Sequence, residues 1–146
     1  MTTQSLPDAD WSDPVAYAFS ASGHSTDITA AMHWLKARGA LTVAVTAAHA
    51  SAPLVDLADT VYRLNCSDEM AAPATKSFTA QLFAAAAIAG YPLAQAAEQA
   101  ADAMDALVPG ETVKSLATFL QGGRTVAWVA RGPSCAGALD AALKAQ

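Results

Sequence analysis

Apolar and polar positions follow a simple grammar along this chain. Residues 15–19, Val15-Ala16-Tyr17-Ala18-Phe19, form a short apolar run that predicts a buried strand. A small polar loop, residues 20–27, follows it. Apolar residues then recur at Ile28, Ala31, Met32, Leu35 and Ala37, the spacing of a helix of about four turns. Gly39 stands just past its end, where a helix stops readily. The β-branched run 41–46 predicts a second strand, so strand, helix and strand arrive in the order of a parallel sheet. Pro53 suits the first position of a short helix over 54–58. Residues 60–64 predict a third, more exposed strand, and 66–73 a loop.

The second half is helical in pattern. One helix is expected from about 74 to 89, stopped by Gly90-Tyr91-Pro92. Two more are expected at 93–107 and 111–120, separated by Pro109-Gly110 and ended by Gly122-Gly123. Residues 125–129, Thr125-Val126-Ala127-Trp128-Val129, predict a fourth strand. It leads through the small-residue turn 130–134 into a terminal helix reaching 146. This repeats the grammar of residues 15–38 and makes a weak internal repeat. Residues 1–14, with Pro7 and Pro14, read as an irregular lead-in.

The loop after the first strand carries the candidate chemistry. Ser20, Ser22, Ser25 and Thr26 supply four hydroxyls, and Gly23 permits a tight turn and close approach of a ligand. The N-terminus of the following helix offers N–H groups that favour an anion. A phosphate monoester is the natural guest. Any one of these hydroxyls taken alone is as well explained by an N-cap.

Composition narrows the function classes. Of 146 residues only 8 are Lys or Arg, and the net charge is −5, which argues against a nucleic-acid surface. No apolar run approaches the ~18–20 residues of a membrane span. The acidic, polar N-terminus is not a secretory signal. Cys66 and Cys135 lack ligand spacing and are expected as plain thiols in a reducing cytoplasm. Neither a metal nor a cofactor is expected.

Three segments together resemble the sugar isomerase (SIS) domain family: residues 20–27, residues 50–54 (Ala50-Ser51-Ala52-Pro53-Leu54) and residues 69–82, which contain Ala74-Thr75-Lys76-Ser77-Phe78-Thr79. The resemblance is closest to the tandem-SIS type, which includes the isomerase half of glucosamine-6-phosphate synthase and SIS-fold glucosamine-6-phosphate deaminases. Residues 130–144 resemble the opening of a second SIS domain. The family implies a three-layer αβα sandwich with a five-stranded parallel, flavodoxin-like sheet. It also implies a hexose 6-phosphate site without metal, aldose–ketose chemistry with deamination in some members, and a homodimer.

Carried over by position, Ser20, Ser22 and Ser25 correspond to phosphate contacts, with Ala21 and Gly23 in the same loop. Ala21 contributes backbone where synthases often carry Gln. Ala72 and Ala74 match two sugar-contacting positions, and Ala74 is often Ser in the synthases. Lys144 matches a catalytic-site lysine of the second domain. The chain departs from the family in three ways. The family's first strand and its Gly/Thr/Ser turn are absent upstream of 15. The glutamate that follows the lysine by three residues would lie beyond Gln146. The family's His and C-terminal Lys loop are also missing. The resemblance therefore implies an internal segment: a partial first SIS domain over 15–90, linking helices over 91–122, and the start of a second SIS domain over 123–146.

The remaining candidates read more blandly. His24 is expected to face solvent at a helix N-terminus, and His33 to lie on a helix surface. His49 sits after the second strand, at the sheet edge where ligands bind, and is a site candidate. Asp68 and Glu69 are expected as capping or solvated residues, Lys76 as a loop tie and Arg131 as a contact residue. Trp11, Trp34 and Trp128 show no stacking pattern. Strand 125–129 is expected to dock parallel to 15–19 and fill the place of the missing first strand, giving the order 125–129, 15–19, 41–46, 60–64. Two functions follow. The parent protein is a phosphosugar isomerase or amino-sugar-phosphate deaminase, or the chain is a sugar-phosphate-binding module without catalysis.

Overall fold

The structure is a computed structural model that describes residues 9–49, 51–67, 69, 74–108, 110–122, 126–132 and 134–144. Ala72 and Asp68, most of the lead-in, and the first residue of the expected fourth strand, Thr125, lie outside the described residues. The chain divides into two units, Met1–Leu93 and Ala94–Gln146.

The first unit holds a parallel sheet of three strands, β1 (Val15–Ser20), β2 (Leu41–Thr46) and β3 (Thr60–Arg63), in spatial order β1-β2-β3. Val15 pairs with Leu41 and the register runs on to Ser20 with Thr46; Val43 pairs with Thr60 on the other side. Helices α1 (Thr26–Lys36) and α2 (Pro53–Leu57) make the crossovers. Because side chains alternate across a strand, Ala16, Ala18 and Ala44 turn to one face. There Met32 of α1 and Leu54 of α2 close a core on them. Phe19 and Val45 turn to the other face, against Ala80 and Ala84 of α3 (Lys76–Ile88). Small residues on the first face let both helices approach closely. The result is the expected αβα layering, with three strands among the described residues where the family implies five.

The termini of these elements follow local chemistry. Pro53 sits in the first turn of α2, where its missing N–H costs nothing. Gly39 adopts φ +92° after α1, and a Cβ there would come within 3.2 Å of the Ser12 backbone. Asp59 joins the start of β2 to the turn before β3. Its carboxylate accepts the Thr42 N–H at 2.9 Å and the Thr42 hydroxyl at 2.7 Å, and pairs with Lys36 Nζ at 2.7 Å. The Lys36 ammonium and the Thr42 donors together hold the Asp59 carboxyl well below the usual carboxylate range.

In the second unit, α4 (Leu93–Leu107) begins at the boundary and is followed by α5 (Glu111–Gln121) and α6 (Ser134–Lys144). Their Ala, Leu, Gln and Glu content favours helix. None of the three contains a fully buried residue.

Two expectations are corrected. Residues 126–130 form no strand, and among the described residues β1 pairs with β2 alone. A β-branched run is only a preference until a neighbouring backbone accepts its hydrogen bonds, and Val129 is left 89% exposed. Trp11 and Trp34 do form a stacking arrangement. Their rings meet edge to face at 6.1 Å, and the Arg38 guanidinium lies 3.8 Å over the Trp34 ring.

The Thr42 hydroxyl is fully buried and both donates to and accepts from Asp59. Thr42→Val keeps the shape and removes these bonds. The expected loss is about 1 kcal/mol, read as a lower urea midpoint at unchanged slope.

Candidate functional site

The C-terminal ends of the three parallel strands open toward one edge of the sheet, and the loops that leave them enclose a cavity of about 470 Å3. This is where open α/β sheets place ligands. Its walls include Ala21, Ser22 and Ser25 from the loop after β1, and Ala47, Ala48 and His49 from the loop after β2. Ser67 and Glu69 follow β3, and Ala74 and Ser77 bracket the start of α3.

The β1 loop is built from its own serines. Ser20 is 4% exposed, and its Oγ accepts the Gly23 N–H at 3.1 Å and shares a hydrogen bond with Ser25 Oγ at 3.1 Å. Ser20 thus folds the turn from beneath, and it is Ser22 and Ser25 that line the cavity. Ser25 is the N-cap residue of α1 by position, yet its side chain makes no cap hydrogen bond. Its hydroxyl turns to Ser20 instead. Gly23 has φ +69°, and a Cβ there would fall 2.9 Å from Ala52 Cβ. The turn therefore needs glycine for backbone and for space.

The β1 and β2 loops are tied to each other. The Ala21 carbonyl accepts the Ala47 N–H at 3.1 Å and the Thr46 hydroxyl at 3.2 Å. Thr46 Oγ1 in turn accepts the Ala48 N–H at 3.1 Å. Leu54 N–H donates to the Gly23 carbonyl at 3.1 Å, linking α2 to the same turn. The Arg63 guanidinium at the end of β3 donates to the Ala48 carbonyl. His49 is therefore carried on a braced loop, exposed at the cavity wall.

Glu69 organises the opposite wall. Oε2 accepts the N–H groups of Thr75 at 2.9 Å and Ser77 at 3.1 Å, and also the Ser77 hydroxyl at 2.9 Å. Oε1 accepts the Thr75 hydroxyl at 3.0 Å. The backbone N–H groups of Ser77 and then Thr75 do most to lower its pKa to about 2. The carboxylate caps the N-terminus of α3, the capping role expected of it. Lys76 Nζ donates to Ser67 Oγ at 2.9 Å and ties the same loop.

Of the site residues expected from sequence, the structure brings Ala21, Ser22, Ser25 and Ala74 to one cavity, with Ser20 and Gly23 shaping its floor. Ala72 lies outside the described residues. Lys144 belongs to the second unit, where it pairs with Asp140 of its own helix at 2.6 Å. His24 is exposed, its Nδ1 2.7 Å from the Ser22 carbonyl oxygen, and His33 is exposed on α1. Ser67 and Ser77 were not singled out in advance. The signal available for Ser67 was its place after a parallel strand, the same signal that marked His49. Among the described residues no three His, Cys, Asp or Glu side chains gather as a metal site, and no helix is long and apolar enough to cross a membrane.

Comparison with known proteins adds two findings. The SIS domain family matches residues 3–90. The glutamine–fructose-6-phosphate aminotransferase (isomerizing) of Caulobacter vibrioides is 32% identical over 142 residues, covering 87% of this chain and 23% of that protein. The chain thus spans less than a quarter of the length of the relative it matches.

Two outcomes are expected from this geometry. Gly23→Ala should cost about 1–2 kcal/mol from the left-handed backbone alone, with the contact to Ala52 adding to it, read by chemical unfolding. The Glu69 carboxylate has its pKa depressed on folding, so its stabilisation is complete above the ordinary value of 4.5 and lost as pH falls through about 2. Glu69→Ala should lower Tm at neutral pH by on the order of 5 °C. The gap from the wild type should close between pH 4.5 and 2. A gap independent of pH would assign the effect to packing.

Proposed function

The chain belongs to the SIS domain family, and on that premise we propose that the cavity at the strand ends binds a hexose or hexosamine 6-phosphate. The observation that carries this reading is the pair of serines, Ser22 and Ser25, lining a cavity beside the start of α1. A phosphoryl group needs several donors held in a fixed turn, and Ser20 and Gly23 fix this one by hydrogen bonding. The remaining walls are small residues and hydroxyls, Ala47, Ala48, Ala74, Ser67 and Ser77, which leave room and hydrogen-bonding partners for a polyol. In a longer protein, such a site serves an aldose–ketose isomerase or an amino-sugar-phosphate deaminase. Lys144, by its match to the family, is the lysine of the second SIS unit in that protein.

One observation favours binding without turnover for the cavity itself. Enolisation of a sugar needs a base poised to take a carbon-bound proton. Among the described residues that line the cavity Glu69 is the one carboxylate, and both its oxygens are engaged by Thr75 and Ser77. Held ionised at about 2, it accepts a proton weakly. The alternative reading is therefore a non-catalytic sugar-phosphate module.

Titration with glucosamine 6-phosphate, followed by phosphorus NMR and by thermal unfolding, tests the binding. At a ligand concentration of 100 times Kd the stability gain is about 2.7 kcal/mol. A flat thermal response together with an unmoved phosphorus resonance would overturn the reading. Conversion of glucosamine 6-phosphate and water to fructose 6-phosphate and ammonia is expected to be undetectable with this chain alone; detectable ammonia release would remove the binding-only alternative.

A further inference from the structure

The two edges of the sheet differ in how they are defended. β3 is four residues long and ends on the charged Arg63. Short length and charge are what keep an edge strand from pairing with another chain. β1 has six residues, with no charge, Pro or Gly among them. Among the described residues it pairs with β2 alone, and its Val15 and Tyr17 side chains are 44% and 45% exposed. A cavity of about 580 Å3 lies beside the strand, with Trp11, Tyr17, Ile28 and Leu35 in its walls.

The sheet register shows which backbone groups of β1 face outward. The Thr42 and Thr46 carbonyls accept the N–H groups of Asp59 and Leu64, so these residues of β2 turn toward β3. Val43 and Val45, of the other parity, turn toward β1. In a parallel ladder they bond the neighbours of their Cα partners, Tyr17 and Phe19, which are Ala16, Ala18 and Ser20. The N–H and C=O groups of Val15, Tyr17 and Phe19 therefore point away from β2.

Residues 15–19 also read alike in both directions. Large side chains stand at Val15, Tyr17 and Phe19, and alanines at 16 and 18. A two-fold axis perpendicular to the sheet at Tyr17 sets this strand antiparallel to its own copy. Tyr17 then meets Tyr17 of the second copy, and Val15 meets Phe19. These residues have outward backbone groups, so each such pair exchanges both N–H···O bonds. Aromatic–aromatic and aromatic–β-branched neighbours are favourable cross-strand pairs, and they fall here on one face, with Ala16 against Ala18 on the other. Each copy carries a net charge of −5, yet the axis opposes no carboxylates near the strand: Asp13 comes opposite Ala21.

We propose that β1 pairs antiparallel with β1 of a second copy about Tyr17, joining two three-stranded sheets into one continuous sheet. The edge is self-complementary in size, hydrogen bonding and charge, which is what a two-fold interface requires. Edge pairing buries an area at the small end of specific interfaces, so the dimer forms with a Kd in the micromolar range. This inference is independent of what the cavity binds.

Sedimentation equilibrium of the wild type, Tyr17→Lys and Tyr62→Lys tests it, with folding of each variant checked by circular dichroism. Tyr17→Lys sets two ammonium groups opposite each other and should weaken the dimer about tenfold. Tyr62→Lys, on the other edge of the sheet, should leave it unchanged. A second measurement needs no variant. Val15 and Phe19 of one strand are about 13 Å apart, too far for a nuclear Overhauser effect within the chain. In a mixture of labelled and unlabelled wild type, an effect between the Val15 methyls and the Phe19 ring is expected across the two copies. A wild type that stays monomeric at about 1 mM overturns the proposal, whether the edge is bare or taken by another strand. A dimer that Tyr17→Lys leaves intact, or one without the Val15–Phe19 effect, assigns association to another surface and overturns it equally.

Discussion

One carbonyl oxygen holds the site together. Ala21 O accepts both the Ala47 N–H and the Thr46 hydroxyl, and it lies one residue past the last paired position of β1. The parallel register that matches Ser20 with Thr46 puts these groups opposite each other. Shifting β1 by one residue in that register would turn Ala16 and Ala18 out of the core shared with Ala44, Met32 and Leu54. Burial on one face of the sheet therefore fixes the register, the register fixes the meeting of two loops, and the two loops make the cavity.

The serines of the β1 loop divide the work by depth. Ser20 lies under the turn and uses its oxygen to hold the Gly23 N–H and the Ser25 hydroxyl. Ser22 and Ser25 stand at the cavity wall. Four hydroxyls close in sequence look equivalent on paper. In the fold, alternate residues of a strand end point to opposite faces, so Ser20, continuing the inward face of Ala16 and Ala18, has to be internal.

The opposite wall follows another economy of form. A carboxylate from the loop after β3 takes two N–H groups and two hydroxyls at the start of α3, so the loop and the helix move as one piece. This makes Glu69 a framework residue in a cavity whose walls carry the hydroxyls of Ser22, Ser25, Ser67 and Ser77.

Element order was legible in the chain because it rests on local chemistry: the β-branched run of β2, the helical spacing from Ile28 to Leu35, Pro53 at a first turn and Gly39 at a stop. The hydroxyl-rich turn was legible for the same reason. Tertiary structure decided what depends on partners remote in sequence. It left 126–130 without a strand, since pairing needs a backbone at the right distance and no sequence pattern supplies one. It brought Trp11 onto Trp34, sent Ser20 beneath the turn, and set His49 and Ser77 around one space. Propensity acts within a few residues, whereas burial, register and hydrogen-bond satisfaction act across the fold, and a binding cavity is made by the second set.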